Sequence, residues 1–166
     1  EDTYAFELTG DYDPAHELVL DPELDWSTYL GDGVDEEGFG IAVDSSGDVL
    51  VTGFTESSGW ISGGFDTTHN GGSDAFVAKR SPSGGHLWSP YLGGGNWDDG
   101  RGLAVDPSGN VLVTGYTASS GWTSGGFDRE YNGGGGDTFV ATLSPSGGHL
   151  WSTFLGGGNY DHGRGI

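Results

Sequence analysis

The sequence predicts an all-β chain of tandem four-stranded antiparallel blades of β-propeller type, about two full repeats with partial blades at both ends. Three observations predict it. The block Trp26-Ser27-Thr28-Tyr29-Leu30-Gly31 returns as Trp88-Ser89-Pro90-Tyr91-Leu92-Gly93 and as Trp151-Ser152-Thr153-Phe154-Leu155-Gly156, at offsets of 62 and 63. A repeat of this length is one supersecondary unit that buries its apolar face against a neighbour. Between these blocks lie short stretches rich in Val, Phe, Tyr, Trp and Thr, separated by turn residues, as strands require. No stretch shows a sustained helical period with caps.

The elements follow in chain order. Residues 1–23 form a lead-in whose first strand, Thr3 to Leu8, sets Tyr4, Phe6 and Leu8 on one face. The first repeat covers 24–87, the second 88–150, and 151–166 begin a third that stops at Ile166. In the first unit the strand candidates are Gly40 to Asp44, Val49 to Thr55, Ala75 to Arg80 and His86 to Leu92. Ala104-Val105-Asp106 and Val111-Leu112-Val113-Thr114-Gly115 repeat the first two at an offset of 62. The offset grows to 63 through one extra glycine in Gly133 to Gly136, which belongs in a loop. Asp106-Pro107-Ser108-Gly109, Ser81-Pro82-Ser83-Gly84 and Ser144-Pro145-Ser146-Gly147 place Pro second and Gly fourth, as a type I hairpin turn prefers. Two hairpins make one blade, and glycines beside Ile41 and Leu103 suit close strand approach.

Composition narrows the partners. The chain carries 25 acidic against 5 basic residues, a formal charge of −20. That field repels phosphate backbones and anionic headgroups, so nucleic-acid binding and membrane insertion are not expected, and it attracts cations. Glycine accounts for 35 residues without a collagen period, and 13% aromatics argue for a folded chain. Without cysteine, no disulfide or thiolate site can form. The acidic start Glu1-Asp2 and the lack of methionine suggest a processed or excised piece of an exported protein.

The blocks quoted above, with Gly38-Phe39-Gly40-Ile41-Ala42-Val43-Asp44, Val51-Thr52-Gly53-Phe54-Thr55 and Gly72-Ser73-Asp74-Ala75-Phe76-Val77-Ala78-Lys79, recur in order over about 24–166. In this order they resemble the bacterial SBBP β-propeller repeat family. Leu18-Val19-Leu20-Asp21-Pro22 resembles the segment that precedes the first repeat in such proteins. The resemblance implies a blade fold in large secreted or surface proteins of bacteria and some archaea, with no catalytic residue in the blade. A closed propeller needs about four to eight blades, and this chain holds two periods and two fragments. Open blade edges invite pairing, so self-association is expected, Tyr4, Phe6 and Leu8 of one copy completing the blade broken at Ile166 in the next; the other reading is further blades of the same chain. A head-to-tail contact closes into a ring or runs on as a filament.

Candidate sites are few. Asp35-Glu36-Glu37, Asp98-Asp99 and Asp161-His162 form an acidic loop in each repeat, with Glu36, Asp98 and Asp161 in register. Calcium takes six to eight oxygens from carboxylates, carbonyls and water, so Asp35, Glu36, Asp98, Asp99 and Asp161 are candidate ligands, against solvated acidic turns as the alternative. Asp44, Asp106, Asp74 and Asp137 sit at strand ends beside glycine turns and read as turn caps, with metal ligation as the alternative. Trp60 and Trp122 could stack on sugar rings of a glycan or pack between blades. Trp26, Trp88 and Trp151 read as blade core. No Ser-His-Asp order or zinc spacing emerges, and no repeat is set apart as a dedicated catalytic site would be, so no catalysis is expected.

Overall fold

The computed structural model describes Ala15 and residues 24–166; the expected lead-in strand with Tyr4, Phe6 and Leu8 lies outside the described residues. Nine strands and no helix are present among the described residues: β1 Glu36–Val43, β2 Val49–Thr55, β3 Asp74–Arg80, β4 His86–Trp88, β5 Tyr91–Leu92, β6 Asp98–Val105, β7 Val111–Thr117, β8 Asp137–Leu143 and β9 His149–Leu155. They form two antiparallel sheets, β1-β2-β3-β4 with β5 continuing beside β3, and β6-β7-β8-β9. Each sheet is one blade.

The register is the same in both. Val51 pairs with Ile41 and Ala78, and Val113 pairs with Leu103 and Ala141. The hairpin turns form as their residues demand. Asp44 Oδ1 accepts the N–H groups of Ser46 and Asp48 at 2.8 and 3.0 Å, and Asp106 Oδ1 those of Ser108 and Asn110 at 2.8 and 2.9 Å. Both are the Asx-type caps the sequence predicts. Ser81 Oγ and Ser144 Oγ each accept the N–H four residues on, at 3.0 Å.

Two local features depart from the sequence reading. The first strand begins at Glu36 and Asp98, four residues before the predicted start, so Glu36, Glu37, Asp98 and Asp99 lie in strands and not in loops. A bulge between Gly38 and Gly40, repeated between Gly100 and Gly102, hides the strand period there. The predicted strand His86 to Leu92 is broken in two. Pro90 has no N–H to give the ladder, whereas Thr153 at the equivalent place leaves β9 continuous.

Alternation along the strands gives each blade two apolar faces. On β3, Ala75 and Val77 point toward blade 2 and Phe76 and Ala78 point away. The main core lies between the blades: Leu50, Ala75, Val77, Trp88 and Leu92 of blade 1 meet Val111, Val113, Phe139, Ala141 and Leu143 of blade 2. On the far side of blade 1, Phe76, Ala78, Tyr91 and Ile61 are covered in part by Leu30, so residues 24–31 lie across blade 1 as β4 and β5 lie across blade 2.

Candidate functional site

The residues the sequence singles out gather at the crossover from one blade to the next. There the chain leaves β5 through Gly93 to Trp97 and enters β6, with Ser73 and Trp97 in a parallel bridge and Asp98 N–H donating to Ser73 O at 2.8 Å. The second crossover repeats this: Gly136 and Tyr160 form the bridge, and Asp161 N–H donates to Gly136 O at 3.0 Å.

In each repeat the in-register acid closes this turn. Glu36 accepts the N–H of Asp32 at 3.3 Å, Asp98 that of Gly94 at 2.8 Å, and Asp161 that of Gly157 at 2.8 Å. The first two also reach the loop before the predicted tryptophan. Thr55 Oγ1 donates to Glu36 at 2.8 Å and receives Trp60 Nε1–H at 3.1 Å; Thr117 Oγ1 donates to Asp98 and receives Trp122 Nε1–H at 3.1 Å. Ser119 Oγ adds a bond to Asp98 at 2.8 Å. Trp60 and Trp122 also stand edge-on to Phe76 and Phe139, at 5.0 and 5.1 Å. Both indoles are half-buried and do a packing task.

The neighbouring acids Asp98 and Asp99 do not act as a pair. Asp98 is fully buried, while Asp99 turns to Arg101, 2.9 Å away. Asp35 is exposed. The charge of Asp98 also acts on Asp74, the first residue of β3. Asp74 is fully buried; its Oδ2 accepts Asn70 N–H at 2.7 Å and its Oδ1 has no hydrogen-bond partner. Burial drives its carboxyl up to about 6, against the opposing pull of Asn70 N–H and His69 and with help from the charges of Asp98 and Asp66. Burial likewise raises Asp98, more than its bonds to Thr117, Gly94 and Ser119 lower it. Asp137, the counterpart of Asp74, is also fully buried, with Asn132 N–H on Oδ2 at 2.9 Å and no partner for Oδ1. The sequence favours turn capping over metal ligation for both. Their free oxygens are a tertiary fact that no local pattern carries.

The blades are latched by the tryptophans of the repeated Trp-Ser block, Trp26 lying outside any strand and Trp88 ending β4. Trp26 Nε1–H donates to Pro82 O at 2.8 Å, its ring over Gly84; Trp88 Nε1–H donates to Pro145 O at 3.0 Å, its ring over Gly147. Each tryptophan thus seats on the Ser-Pro-Ser-Gly turn of the following blade. A Cβ on Gly84 or Gly147 would meet the ring at 2.9 or 2.8 Å, which explains the glycine. Phe65 of blade 1 reinforces the latch, its N–H on Gly147 O at 3.2 Å and its ring 5.2 Å from His149.

These contacts span the stretches that match a known family. Residues 25–59 and 87–121 match the family model described as SBBP, beta-propeller repeat. The chain carries SBBP repeats. No curated protein matches the chain. Each matched stretch runs from the latching tryptophan to just before Trp60 or Trp122. The second matched stretch therefore joins the last strand segments of blade 1 to the first two strands of blade 2, out of phase with the sheets, and the first brings residues 25–35, which form no strand, to β1 and β2.

At the end of the chain the SBBP pattern is left without its next partner among the described residues. The positions that blade 1 buries against blade 2 are open in blade 2. Trp88 is 6% exposed and Trp151 37%; Leu92 is 0% exposed and Leu155 54%. Leu112, Thr138 and Val140 are half-buried where Leu50, Ala75 and Val77 are fully covered. Phe127 is wholly exposed where Phe65 reaches His149. On the opposite side, Ile41 and Val43 are exposed where Leu103 and Val105 pack into the core. Ile166 is half exposed, and Gly163 before it donates to Gly115 O at 3.3 Å, so the start of a third repeat already lies along blade 2.

An open cleft of about 390 Å³ lies at the crossover, lined by Phe65, Asp66, Asn70, Gly94 and Trp122. The histidines of the two repeats serve the strands: His86 and His149 each bond the serine three residues on, Ser89 or Ser152, at 3.0 Å, and burial lowers both below their ordinary value. Both serines are fully buried.

Proposed function

We propose that this chain is a non-catalytic structural module of a secreted or cell-surface assembly, which extends head to tail by adding the first blade of one copy to the second blade of another. The observation that carries the reading is the exposed set Trp151, Leu155 and Phe127, whose counterparts Trp88, Leu92 and Phe65 show what such a face receives. Exposed apolar faces of this kind mark interaction sites. The matching face on blade 1 carries Ile41 and Val43, and the contact is heterologous, so it closes into a ring or continues as a filament. Absence of catalysis is supported by the symmetry of the polar groups: the acids, serines and histidines of both repeats make the same structural bonds. Light scattering and electron microscopy of the purified chain test the reading. Mass that grows with concentration, with rings or filaments on grids, is expected, and Leu155→Asp should hold the chain monomeric.

A second reading is a glycan- or protein-binding propeller, favoured by the crossover cleft, which sets Phe65 and Trp122 beside Asp66 and Asn70. Aromatic rings with adjacent amide and carboxylate groups suit a sugar. Glycan arrays with the parent and Trp122→Ala separate the two readings.

A further inference from the structure

We propose that each blade-to-blade crossover holds a calcium site, built on Asp74 with Asp98 at the first crossover and on Asp137 with Asp161 at the second. The pairing is set by the fold and not by sequence adjacency. Asp74 opens β3 and Asp98 opens β6, and the N–H of Asp98 bonds the carbonyl of Ser73, the residue before Asp74. The second crossover shows the convergence directly. A Cβ built on Gly156 would lie 2.8 Å from Asp137 Oδ1 and 2.9 Å from Asp161 Oδ2, so both carboxylates point at one small volume over that glycine.

Two observations beyond the clustering of acids point to a ligand. Asp74 and Asp137 are fully buried, and each has one oxygen with no hydrogen-bond partner. A buried carboxylate oxygen without a donor costs free energy unless a cation or donor completes it. The same free oxygen recurs at the same place in both repeats. Among the described residues no ion pair to Asp74 or Asp137 forms: Lys79 is 2.8 and 3.1 Å from Asp44 and Asp48, and Arg101 is bound to Asp99. The charge of His69 acts on Asp74, but its ring nitrogen is 3.3 Å from Thr55 O.

The donor set selects the ion. Among the described residues no group of three or more His, Asp or Glu side chains surrounds a metal position. Two carboxylates with carbonyls and water for the remaining oxygens suit calcium, whose coordination is flexible, better than zinc, which prefers nitrogen and sulfur in a tight tetrahedron, or magnesium, which demands a regular octahedron. The site lies within one chain and does not depend on association between copies.

Calorimetric titration of the whole chained protein, stripped with chelator and then given calcium alone, tests this. Asp74→Asn and Asp137→Asn each keep an amide oxygen to accept the Asn70 or Asn132 N–H. Each should remove one calcium equivalent, the double variant two, and Asp35→Asn none. Calcium should raise the melting temperature of the parent, magnesium at the same concentration should not, and the double variant should lose the calcium response. Asp161→Asn, on a half-buried residue outside the strands, should also remove one equivalent and serves if a buried substitution does not fold. No calcium binding by the parent, or an unchanged stoichiometry in the double variant and in Asp161→Asn, would overturn the proposal.

Discussion

Gly53 and Gly115 sit opposite the bulge, where a Cβ would overlap the carbonyl oxygen of Glu37 or Asp99. Only glycine lets the second strand approach the bulged strand this closely, and the bulged strand is the one that carries the acids at 36 and 98. Gly53→Ala is therefore expected to cost on the order of 2–4 kcal/mol in denaturant unfolding, while Gly33→Ala, with open space around it, stays within about 0.5 kcal/mol. A second residue-scale test lies in the buried ion pairs of Lys79 with Asp44 and Asp48 in blade 1, where blade 2 has Thr142 and Asn110 in place of Lys79 and Asp48. Burial pushes Asp44 up, but the Lys79 ammonium and the N–H groups of Ser46 and Asp48 outweigh it and hold the carboxyl below its ordinary value. A depressed carboxyl contributes stability above its unfolded pKa and loses it as pH falls through the folded one. Lys79 is held above its ordinary value by Asp44 and Asp48 in spite of burial, and its contribution is lost only as pH rises through that raised value. The pair thus acts between about pH 4 and pH 10. Lys79→Thr, the blade 2 residue at that place, should cost about 1–3 kcal/mol at pH 7, with the difference from the parent shrinking as pH drops below about 4. Adding Asp48→Asn should recover part of the loss, because Asn110 Nδ2–H donates to Asp106 at 2.8 Å in the same position of blade 2.

At the scale of the strand and the blade, the latch makes a paired prediction. Trp88 is buried between blades and its Nε1–H is spent on Pro145 O; Trp151 has the same place in its strand and an open face. Trp88→Ala should lower stability by about 3–5 kcal/mol, and Trp151→Ala by less than about 1 kcal/mol in dilute solution, both read from urea unfolding. The strands and hairpin turns were legible in the sequence because their signals are local: Val-rich runs, and Asp-x-x-Gly or Ser-Pro-Ser-Gly at each reversal. The phase of the blade was not. Nothing near Trp88 states that its strand completes blade 1 while its ring rests on a turn of blade 2. The early start of β1 and β6 was hidden by glycines at the bulge, which carry no side chain to mark an inner or outer face. For the site, register identified Glu36, Asp98 and Asp161 as equivalent, and the structure gives them one shared bond. The proximity of Asp74 to Asp98 required the fold, since Asp74 opens β3 and Asp98 opens β6, with β4 and β5 between them in the chain.

For the molecule as a whole, repeat and charge pull in opposite directions. Each added blade buries another face like the one between blades 1 and 2, but each copy also brings a formal charge of −20. Repulsion between copies is screened by salt, with a Debye length near 30 Å at 0.01 M and about 8 Å at 0.15 M. Association should therefore strengthen as sodium chloride rises, opposite to a contact held by ion pairs. The most direct measurement is sedimentation velocity of the purified chain over a wide concentration range at physiological salt, with Leu155→Asp alongside. The account predicts a parent whose mass grows with concentration and a variant that stays at monomer mass. A parent that sediments as a monomer at every concentration and salt, with Trp151 and Phe127 still open to solvent, would contradict it.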